Sequence, residues 1–424
     1  MSIVGFDRLS FEKALKQTLS PTTPIRSAEF LRGRDKKLED IRRAVIQPGR
    51  HIFIYGDRGV GKTSLAQTAA FEHQSAEQSP ILLACDPSSG FYRILGDSAS
   101  KLLAIDPAAT KVTTSSKKSA GYSPILSADA QHSVERGQIP EVKSINEAVA
   151  LIDFVARRHS HSPVAVVDEF ERIRDPIERT LFADFIKQVG DQSIPITFVF
   201  CGVGAALEEL LDAHHSCYRY LTSVALERLG YDPRLEIIDG ARNALNLHID
   251  DTTRFRIAAI SDGFPHYVHL VTEKLMWEVF QDDHVVTRAE ARHFTAAIKS
   301  AVQDIEPHLK VTYDLATQKY SDEYQEVLWA VADHHELKRR SSAIFNSYIR
   351  IMRHRPGRMA LPRDRFNTRM NMLKRSTHGA ILKANRQGWY EFNENILRGY
   401  VRLRAEEQGV QLDAEHPLEA RLVG

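Results

Sequence analysis

The chain has 424 residues, of which 43% are hydrophobic and 26% charged, and its net charge is +1. This length allows two or three domains, and the composition excludes a disordered or fibrous protein. No apolar stretch approaches the ~20 residues that span a bilayer, and the first residues lack the pattern of a secretory signal, so we expect a cytoplasmic protein without membrane association.

The net charge conceals an uneven distribution along the chain. Residues 338–404 contain seventeen lysines and arginines against three acids, whereas residues 405–424 carry a charge of −4 and residues 1–337 a charge of −9. A basic segment beside an acidic body predicts a polyanionic partner for that segment alone. The three cysteines, Cys85, Cys201 and Cys217, have no metal-binding spacing, and we expect reduced, buried thiols.

The first predicted elements surround a glycine-rich loop. Apolar residues at helical spacing predict a helix over residues 34–45, which ends at Gln47-Pro48-Gly49. The apolar run from His51 predicts a strand, residues 56–63 read G-D-R-G-V-G-K-T, and a second helix follows from Thr63. This order of strand, loop and helix is the context of the phosphate-binding G-x-x-x-x-G-K-[ST] motif.

The motif assigns a role to the residues of this loop, which we call the phosphate loop. Lys62 is expected to contact the β- and γ-phosphates of ATP, and the hydroxyl of Thr63 is expected to bind Mg²⁺. ATP and Mg²⁺ are therefore the expected cofactors. The predicted nucleotide-binding residues of the loop are Gly56, Asp57, Arg58, Gly59, Val60, Gly61, Lys62, Thr63 and Ser64.

Three further apolar runs predict buried strands at residues 81–86, 164–168 and 196–201. Their alternation with helical segments indicates a parallel sheet covered on both faces. The third strand ends in Asp168 and Glu169. In a phosphate-loop protein such a pair supplies a carboxylate for Mg²⁺, here Asp168, and a base that orients the attacking water, here Glu169.

The remaining segments depart from this α/β pattern. We interpret residues 104–142, which are rich in serine, threonine and lysine, as an inserted hairpin or mobile loop. Helical patterns between residues 226 and 310 predict an all-α lid. Residues 320–405 follow the order of a winged helix, with two helices, a basic helix and two short strands.

The predicted fold class is therefore α/β, with a parallel-sheet phosphate-loop core, an all-α lid subdomain and a C-terminal winged-helix domain. The predicted boundaries are 1–225 for the core, 226–310 for the lid, 320–405 for the winged helix and 406–424 for an acidic tail.

The basic helix of the predicted winged helix indicates DNA binding through residues 338–404, because clustered cations neutralise several phosphates at once. The candidate DNA-binding residues are Arg363, Arg365, Arg369, Lys374, Arg375, Lys383 and Arg386. A winged helix can also bind protein, so a protein partner stays open as an alternative.

Several motifs resemble those of a known family. The chain has R-G-R-D-K-K-L before the phosphate loop, D-E-F-E-R-I after the third strand and C-G-V-G after the fourth. With these motifs, residues 25–300 resemble the AAA+ ATPases of the origin-recognition and helicase-loader type. The chain is also similar to bacterial transposition ATPases of the TniB type and to STAND ATPases. The resemblance implies a homo-oligomeric ATPase.

The resemblance also implies roles for residues outside the loop. It places Arg34 near the adenine, although an exposed helix start is an equal alternative. It places Arg219, with Arg228 as a second candidate, where an arginine reaches the nucleotide of the next subunit and stabilises charge on the transferred phosphoryl group. The expected catalytic residues are thus Glu169, Lys62 and Arg219.

The chain departs from the family pattern at two points. Its fourth strand ends at Cys201-Gly202, where the family usually has a polar residue, commonly Asn, that helps to hold the attacking water. Its lid offers His266 in place of an arginine that contacts the γ-phosphate, and a purely structural role is an equal alternative for His266. The preceding Gly263, Phe264 and Pro265 resemble a nucleotide-contacting element of STAND ATPases. We therefore expect slow hydrolysis.

These features favour an ATP-driven switch that self-assembles and engages DNA through its winged helix. The alternative is a STAND-like signalling or anti-phage defence ATPase whose winged helix contacts a protein. A small-molecule kinase is disfavoured because the sequence offers no evident acceptor site.

Overall fold

A computed structural model describes residues 3–74, 80–105, 126–135, 138–159, 161–213, 215–318, 323–386 and 388–412. The helices are α1 (Arg8–Thr18), α2 (Asp35–Val45), α3 (Lys62–His73), α4 (Phe91–Ile105), α5 (Ala128–Glu135), α6 (Ile145–Ala156), α7 (Pro176–Asp191), α8 (Gly204–Ala213), α9 (Tyr231–Ala244), α10 (Asp251–Ile260), α11 (Pro265–Phe280), α12 (Ala291–Gln303), α13 (Pro307–Thr317), α14 (Glu323–Ala332), α15 (Ser341–Arg353), α16 (Arg363–Met372) and α17 (Leu397–Glu407). The strands are β1 (His51–Tyr55), β2 (Ile81–Ala84), β3 (Val164–Asp168), β4 (Thr197–Gly202), β5 (Leu221–Ala225), β6 (Arg339–Arg340), β7 (Leu382–Arg386) and β8 (Trp389–Phe392).

The chain divides into two compact bodies. The core body comprises Pro24–Gly56 and Gly61–Glu227, and the C-terminal body comprises Met1–Thr23, Asp57–Val60 and Arg228–Gly424. None of the helices within the described ranges combines the length and the apolar character that a membrane span requires.

A parallel five-stranded sheet, in the order β2-β3-β4-β1-β5, forms the centre of the core body. Ile52 of β1 lies beside Val199 of β4, and Leu82 of β2 lies beside Val166 of β3. The sheet confirms the predicted α/β fold with parallel strands. The edge strand β5 was not predicted, because its sequence Leu-Thr-Ser-Val-Ala is only partly buried and lacks a continuous apolar run.

Aromatic side chains fill one side of this sheet. Phe170, which follows β3 in a short 3-10 turn (Phe170–Arg172), is fully buried. Its ring packs edge to face against Phe53, with centroids 5.7 Å apart, and against Phe200, with centroids 5.3 Å apart. The buried Phe170 side chain therefore holds the turn after β3 in place. This fixes the positions of Glu169 and Glu171 on either side of it.

The predicted insertion at residues 104–142 is described only in part. Its residues 128–135 form helix α5, so the hairpin interpretation is wrong for that stretch. Residues 106–125 and 136–137 lie outside the described residues, as do residues 413–424 of the predicted acidic tail. The cysteines Cys85, Cys201 and Cys217 are buried, free thiols, as expected.

The C-terminal body contains α1, helices α9 to α13, and a segment in which α14, β6, α15, α16, β7, β8 and α17 follow one another. Strands β6, β8 and β7 form an antiparallel sheet in that order, with Arg339 beside Tyr390 and Leu382 beside Phe392. Phe11 of α1 stacks on Phe280 of α11 with ring centroids 4.1 Å apart.

A buried cluster of charges, which we call the arginine cluster, lies inside the C-terminal body. The Asp262 carboxylate lies 2.6 Å from Arg398 Nε, 2.7 Å from Arg228 Nη1 and 3.3 Å from Arg402 Nη2. Burial alone would raise the pKa of Asp262, but the three guanidinium groups lower it to about 2. The carboxylate is therefore ionised at neutral pH and tied to helix α17.

Candidate functional site

The phosphate loop connects the end of β1 to the start of α3. Gly59 and Gly61 adopt positive φ angles of 82° and 97°, which residues with side chains rarely adopt. Gly61 is the residue that precedes the first turn of α3. The main-chain N–H of Gly56 donates to the carbonyl of Gly202 at 3.3 Å, so the loop begins against the end of β4.

Two side chains at the start of α3 face groups that suit a nucleotide site. The Lys62 ammonium donates to the carbonyl of Gly56 at 3.0 Å. The Thr63 hydroxyl donates to Asp168 Oδ2 at 2.6 Å, although the two residues are 105 positions apart in sequence. The other oxygen of Asp168 accepts from the main-chain N–H of Glu169 at 2.9 Å, which orients the carboxylate. A hydroxyl beside a carboxylate is an oxygen pair that fits Mg²⁺.

Glu169 sits in an unusual backbone conformation directly after β3. Its φ of 56° and ψ of 39° are left-handed, a region that residues other than glycine enter at a cost of roughly 1–3 kcal/mol. Its carboxylate lies 2.7 Å from Arg172 Nε, and both side chains are about half exposed, at 44% and 45%. Glu169 is thus accessible to water and paired with Arg172.

Glu171 is a further candidate that neither the phosphate-loop motif nor the Asp168-Glu169 pair includes. One oxygen of its carboxylate, Oε2, is buried and has no hydrogen-bond partner among the described residues. The same oxygen is 3.3 Å from the position that a Cβ on Gly202 would occupy. The sequence D-E-F-E contained a signal, because Glu171 flanks the same buried phenylalanine as Glu169.

The end of β4 offers no polar side chain. The Cys201 Sγ lies 3.9 Å from the carbonyl of Lys62, and burial raises the pKa of this thiol well above its ordinary value. Cys201 is therefore a neutral thiol packed beneath the loop, and Gly202, which follows it, has no side chain.

Ser64 and Arg34 are occupied by contacts within the core body. The Ser64 hydroxyl accepts from the main-chain N–H of Ile25 at 3.1 Å. Arg34 is 7% exposed, and its Nη2 donates to the carbonyl of Glu227 at 2.6 Å. Burial lowers the pKa of Arg34 to about 10, so it remains charged at neutral pH. The alternative of an exposed helix start is thereby wrong for Arg34.

The two arginines considered for a neighbouring subunit differ in their surroundings. Arg219 ends the 3-10 turn His215–Arg219, is exposed, and has no carboxylate within 4.0 Å in the described part of the chain. Arg228 belongs to the arginine cluster, and its Nη2 also donates to the carbonyl of His335 at 2.6 Å. Of these two arginines, Arg219 is therefore the one without an ion-pair partner among the described residues.

Residues at the tip of the phosphate loop make contacts inside the C-terminal body. Asp57 Oδ2 accepts from Asn395 Nδ2 at 3.0 Å. The Arg58 guanidinium is 3.7 Å from Glu306 and 3.7 Å from Glu394. A Cβ on Gly59 would lie 2.6 Å from Cδ1 of Ile396, so a side chain there would have to displace Ile396. The loop tip is thus bound to residues 394–396, between β8 and α17.

The lid residues Pro265 and His266 begin α11. His266 Nδ1 lies 2.9 Å from the carbonyl of Pro21, so Nδ1 must carry the proton that is donated. The other ring nitrogen, Nε2, is buried and without a hydrogen-bond partner in the described residues. In the neutral ring Nε2 is an acceptor, and only a protonated His266 could donate from it to a phosphate.

The candidate DNA-binding residues differ in their surroundings. Arg365, Lys374 and Arg375 are exposed. Arg363 lies over the Phe345 ring at 4.5 Å, and Arg369 donates to Glu323 Oε2 at 2.8 Å. Lys383 is exposed but 3.7 Å from Glu391, and the side chain of Arg386 lies outside the described residues.

The chain is similar to known proteins in sequence and in fold. Residues 31–199 match the family model of the AAA ATPase domain. Among solved structures, a Walker-type ATPase of Pyrococcus abyssi is 14% identical, with 90% of this chain and 98% of that chain covered and a TM-score of 0.52. None of the curated proteins compared with the chain matches it.

Two further solved structures have lower TM-scores. The Cdc6 protein of Pyrobaculum aerophilum is 14% identical over 95% of this chain and 99% of that one, with a TM-score of 0.44. The Orc1 protein of Aeropyrum pernix, solved in complex with DNA, is 12% identical over 93% and 96%, with a TM-score of 0.44. At these identities the Pyrococcus protein supports the fold alone, and the lower scores of the other two carry no argument.

Proposed function

We propose that this chain, whose residues 31–199 match the family model of the AAA ATPase domain, is a nucleotide-dependent switch. In this proposal it binds ATP with Mg²⁺, hydrolyses ATP slowly, assembles with further copies of itself and engages DNA through residues 338–404. The observation that carries the proposal is the contact of 2.6 Å between Thr63 and Asp168 beside Lys62, which assembles a lysine, a hydroxyl and a carboxylate from distant positions.

The proposed chemistry follows from these three residues and Glu169. Lys62 would exchange the carbonyl of Gly56 for phosphate oxygens, and Thr63 and Asp168 would hold Mg²⁺. Bound Mg²⁺ supplies positive charge that offsets charge on the phosphate oxygens. Glu169 would orient water, and its pairing with Arg172 would have to loosen for that role. This pairing is consistent with slow turnover.

The coupling between nucleotide and partner is supported by the tip of the phosphate loop. Asp57 and Arg58 belong to the C-terminal body, where they contact Asn395, Glu394 and Glu306. A change in the loop on nucleotide binding would therefore change contacts of the residues that lead into α17. The arginine cluster joins α17 to Asp262, the residue before the Gly263–Pro265 element.

Self-assembly is supported by Arg219. An exposed arginine without an ion-pair partner in the described residues is available to a second copy, where its charge would stabilise a transferred phosphoryl group. The oligomer is therefore proposed to complete the site in trans.

DNA binding is proposed from the segment that contains β6, β7 and β8. Its order of helices and the sheet order β6-β8-β7 support a winged helix in which α16 is the recognition helix. The exposed cations Arg365, Lys374 and Arg375 would contact DNA phosphates.

A STAND-like signalling or defence ATPase is the second candidate. It is favoured by Arg363 and Arg369, two predicted DNA contacts that instead bind Phe345 and Glu323 of the protein itself. In that case the winged helix would contact a protein. Salt-dependent binding of duplex DNA by the purified chain separates the two candidates, because a protein-binding module has no reason to show it.

The nucleotide proposal is tested with two substitutions. Lys62→Ala is expected to abolish ATP binding, measured with a fluorescent ATP analogue, because it removes the cation that contacts the phosphates. Glu169→Gln is expected to keep binding and to slow turnover by about 100-fold or more. Tight binding by Lys62→Ala would remove the phosphate loop from this role, and unchanged turnover in Glu169→Gln would remove Glu169.

A further inference from the structure

We propose that Glu171 holds the attacking water and takes the place of the polar side chain that β4 lacks at Gly202. The inference rests on the proposed ATPase function and adds one residue to its site. It assigns to Glu171 a role that neither the phosphate-loop motif nor the Asp168-Glu169 pair includes.

The position of Glu171 follows from its neighbours in the core body. Phe170 is anchored among Phe53 and Phe200, so the 3-10 turn holds Glu171 against the end of β4. Its Oε2 is 3.3 Å from where a Cβ on Gly202 would lie. The carbonyl of the same Gly202 accepts from Gly56 at the start of the phosphate loop, at 3.3 Å. Gly202 therefore contacts both Glu171 and the first residue of the phosphate loop.

The state of the carboxylate points to a ligand. A buried polar atom without a hydrogen bond is unfavourable and calls for an explanation, such as a water or a functional role. Oε2 of Glu171 is such an atom within the described residues. The positive charge of Arg179 lies close enough to Glu171 to interact with it electrostatically.

The chemical role is that of an acceptor. In hydrolysis the water oxygen bonds to the γ-phosphorus, and the bond from that phosphorus to the β–γ bridging oxygen breaks. The proton released from the water passes through Glu169 to solvent, and the products are ADP and phosphate. Glu171 accepts a hydrogen bond from the same water and takes no proton.

The lack of a side chain at Gly202 leaves space for the carboxylate of Glu171. A side chain on Gly202 would meet Glu171 Oε2 at 3.3 Å and the Phe53 ring at 3.1 Å. The carboxylate therefore occupies space that a polar residue at the end of β4 would need. Removing the carboxylate takes away one of these two neighbours while the Phe53 ring stays, so a rescue residue at position 202 has to fit beside that ring.

The test uses the full chain with Glu171→Ala, Glu171→Gln and the double variant Glu171→Ala with Gly202→Asn. Single-turnover hydrolysis, the Kd of a fluorescent ATP analogue and the melting temperature are measured for each. Glu208→Ala, which removes an exposed glutamate of α8 in the same body, is the matched control.

Glu171→Ala is expected to slow turnover by about 100-fold while the nucleotide Kd stays within about twofold. Glu171→Gln keeps an oxygen acceptor and is expected to lose less, and the Gly202→Asn addition is expected to recover about tenfold of the loss. Glu208→Ala is expected to match the unaltered chain.

Unchanged turnover in Glu171→Ala overturns the inference and leaves the ATPase proposal intact. A parallel loss of nucleotide affinity and melting temperature assigns Glu171 a structural role and also overturns it. If the unaltered chain itself shows no hydrolysis, the proposed ATPase function fails and the inference fails with it.

Discussion

Residue type predicts a nucleotide site in the core body and a DNA-binding segment, residues 338–404, in the C-terminal body. The charged side chains of the two regions differ in where they lie. In the core body, the Thr63 hydroxyl donates to Asp168 at 2.6 Å. In the basic segment, Arg398 is fully buried and Arg402 and Arg339 are 2% and 5% exposed. Several of the charges that suggested DNA binding therefore serve the interior.

The difference has a physical reason. A phosphate-loop motif specifies backbone geometry, and the strand and helix on either side bring the lysine and threonine to defined places. The number of basic residues in a segment does not specify where their side chains lie. An arginine carries five donors, so it can be buried where carbonyl groups and a carboxylate accept from it. Arg398 donates in this way to Asp262 and to the carbonyl of Glu336.

The largest effect expected from this comparison concerns Arg398. Arg398→Met removes one partner of Asp262 and leaves main-chain carbonyls without donors, so we expect the free energy of unfolding to fall by about 3–5 kcal/mol. Urea denaturation measures it. Arg365→Met, at an exposed position of the same segment, is the control and should change stability by less than about 0.5 kcal/mol. Equal effects would show that burial does not distinguish the two arginines.

The second prediction tests the exposed arginines. Arg375→Gln should weaken duplex DNA binding and reduce the slope of log affinity against log salt by about 1, because one phosphate contact is lost. Fluorescence anisotropy across a salt series measures it. Lys36→Gln, at an exposed position of α2 in the core body, should leave the slope unchanged. An identical slope for Arg375→Gln would separate the basic segment from DNA.

The smallest effect concerns a buried histidine in each body. Burial lowers the pKa of His51 to about 3 and that of His269 to about 4. Both folded pKa values lie below the unfolded value of about 6.5, so the unfolded chain binds the extra protons. Their contribution to stability is therefore complete above about pH 6.5 and is lost as the pH falls towards the folded pKa values.

The measurement is the free energy of unfolding at pH 7.5 and 5.5. Each histidine should lower it by at most about 1.4 kcal/mol per pH unit below the unfolded pKa. His269→Gln, which removes the ring that accepts from the Ser20 main-chain N–H at 3.3 Å, should flatten the decline. A decline of the same slope in this variant would assign the effect to other groups.

The sequence supported a large part of the core body, because its signals are local. The runs that became β1 to β4 are continuous and apolar, and the Asp-Glu pair stands where β3 ends. The sequence does not predict β5, because an edge strand is less buried and needs no continuous apolar run. The helix α5 escaped because its residues carry weak periodicity. Arg34 was placed at an exposed or a nucleotide-facing position, and its burial against Glu227 depends on a residue far along the chain.

By itself, the sequence determined that the chain has a phosphate loop, a parallel sheet and a carboxylate pair at the end of a strand, because each follows from residue type and spacing along a single segment. Only the tertiary structure decided which charges are buried and which residues contact the tip of the phosphate loop. It also decided that Glu171 lies beside Gly202. These contacts join segments that are distant in sequence, and their energies depend on burial and on partners that no local pattern records.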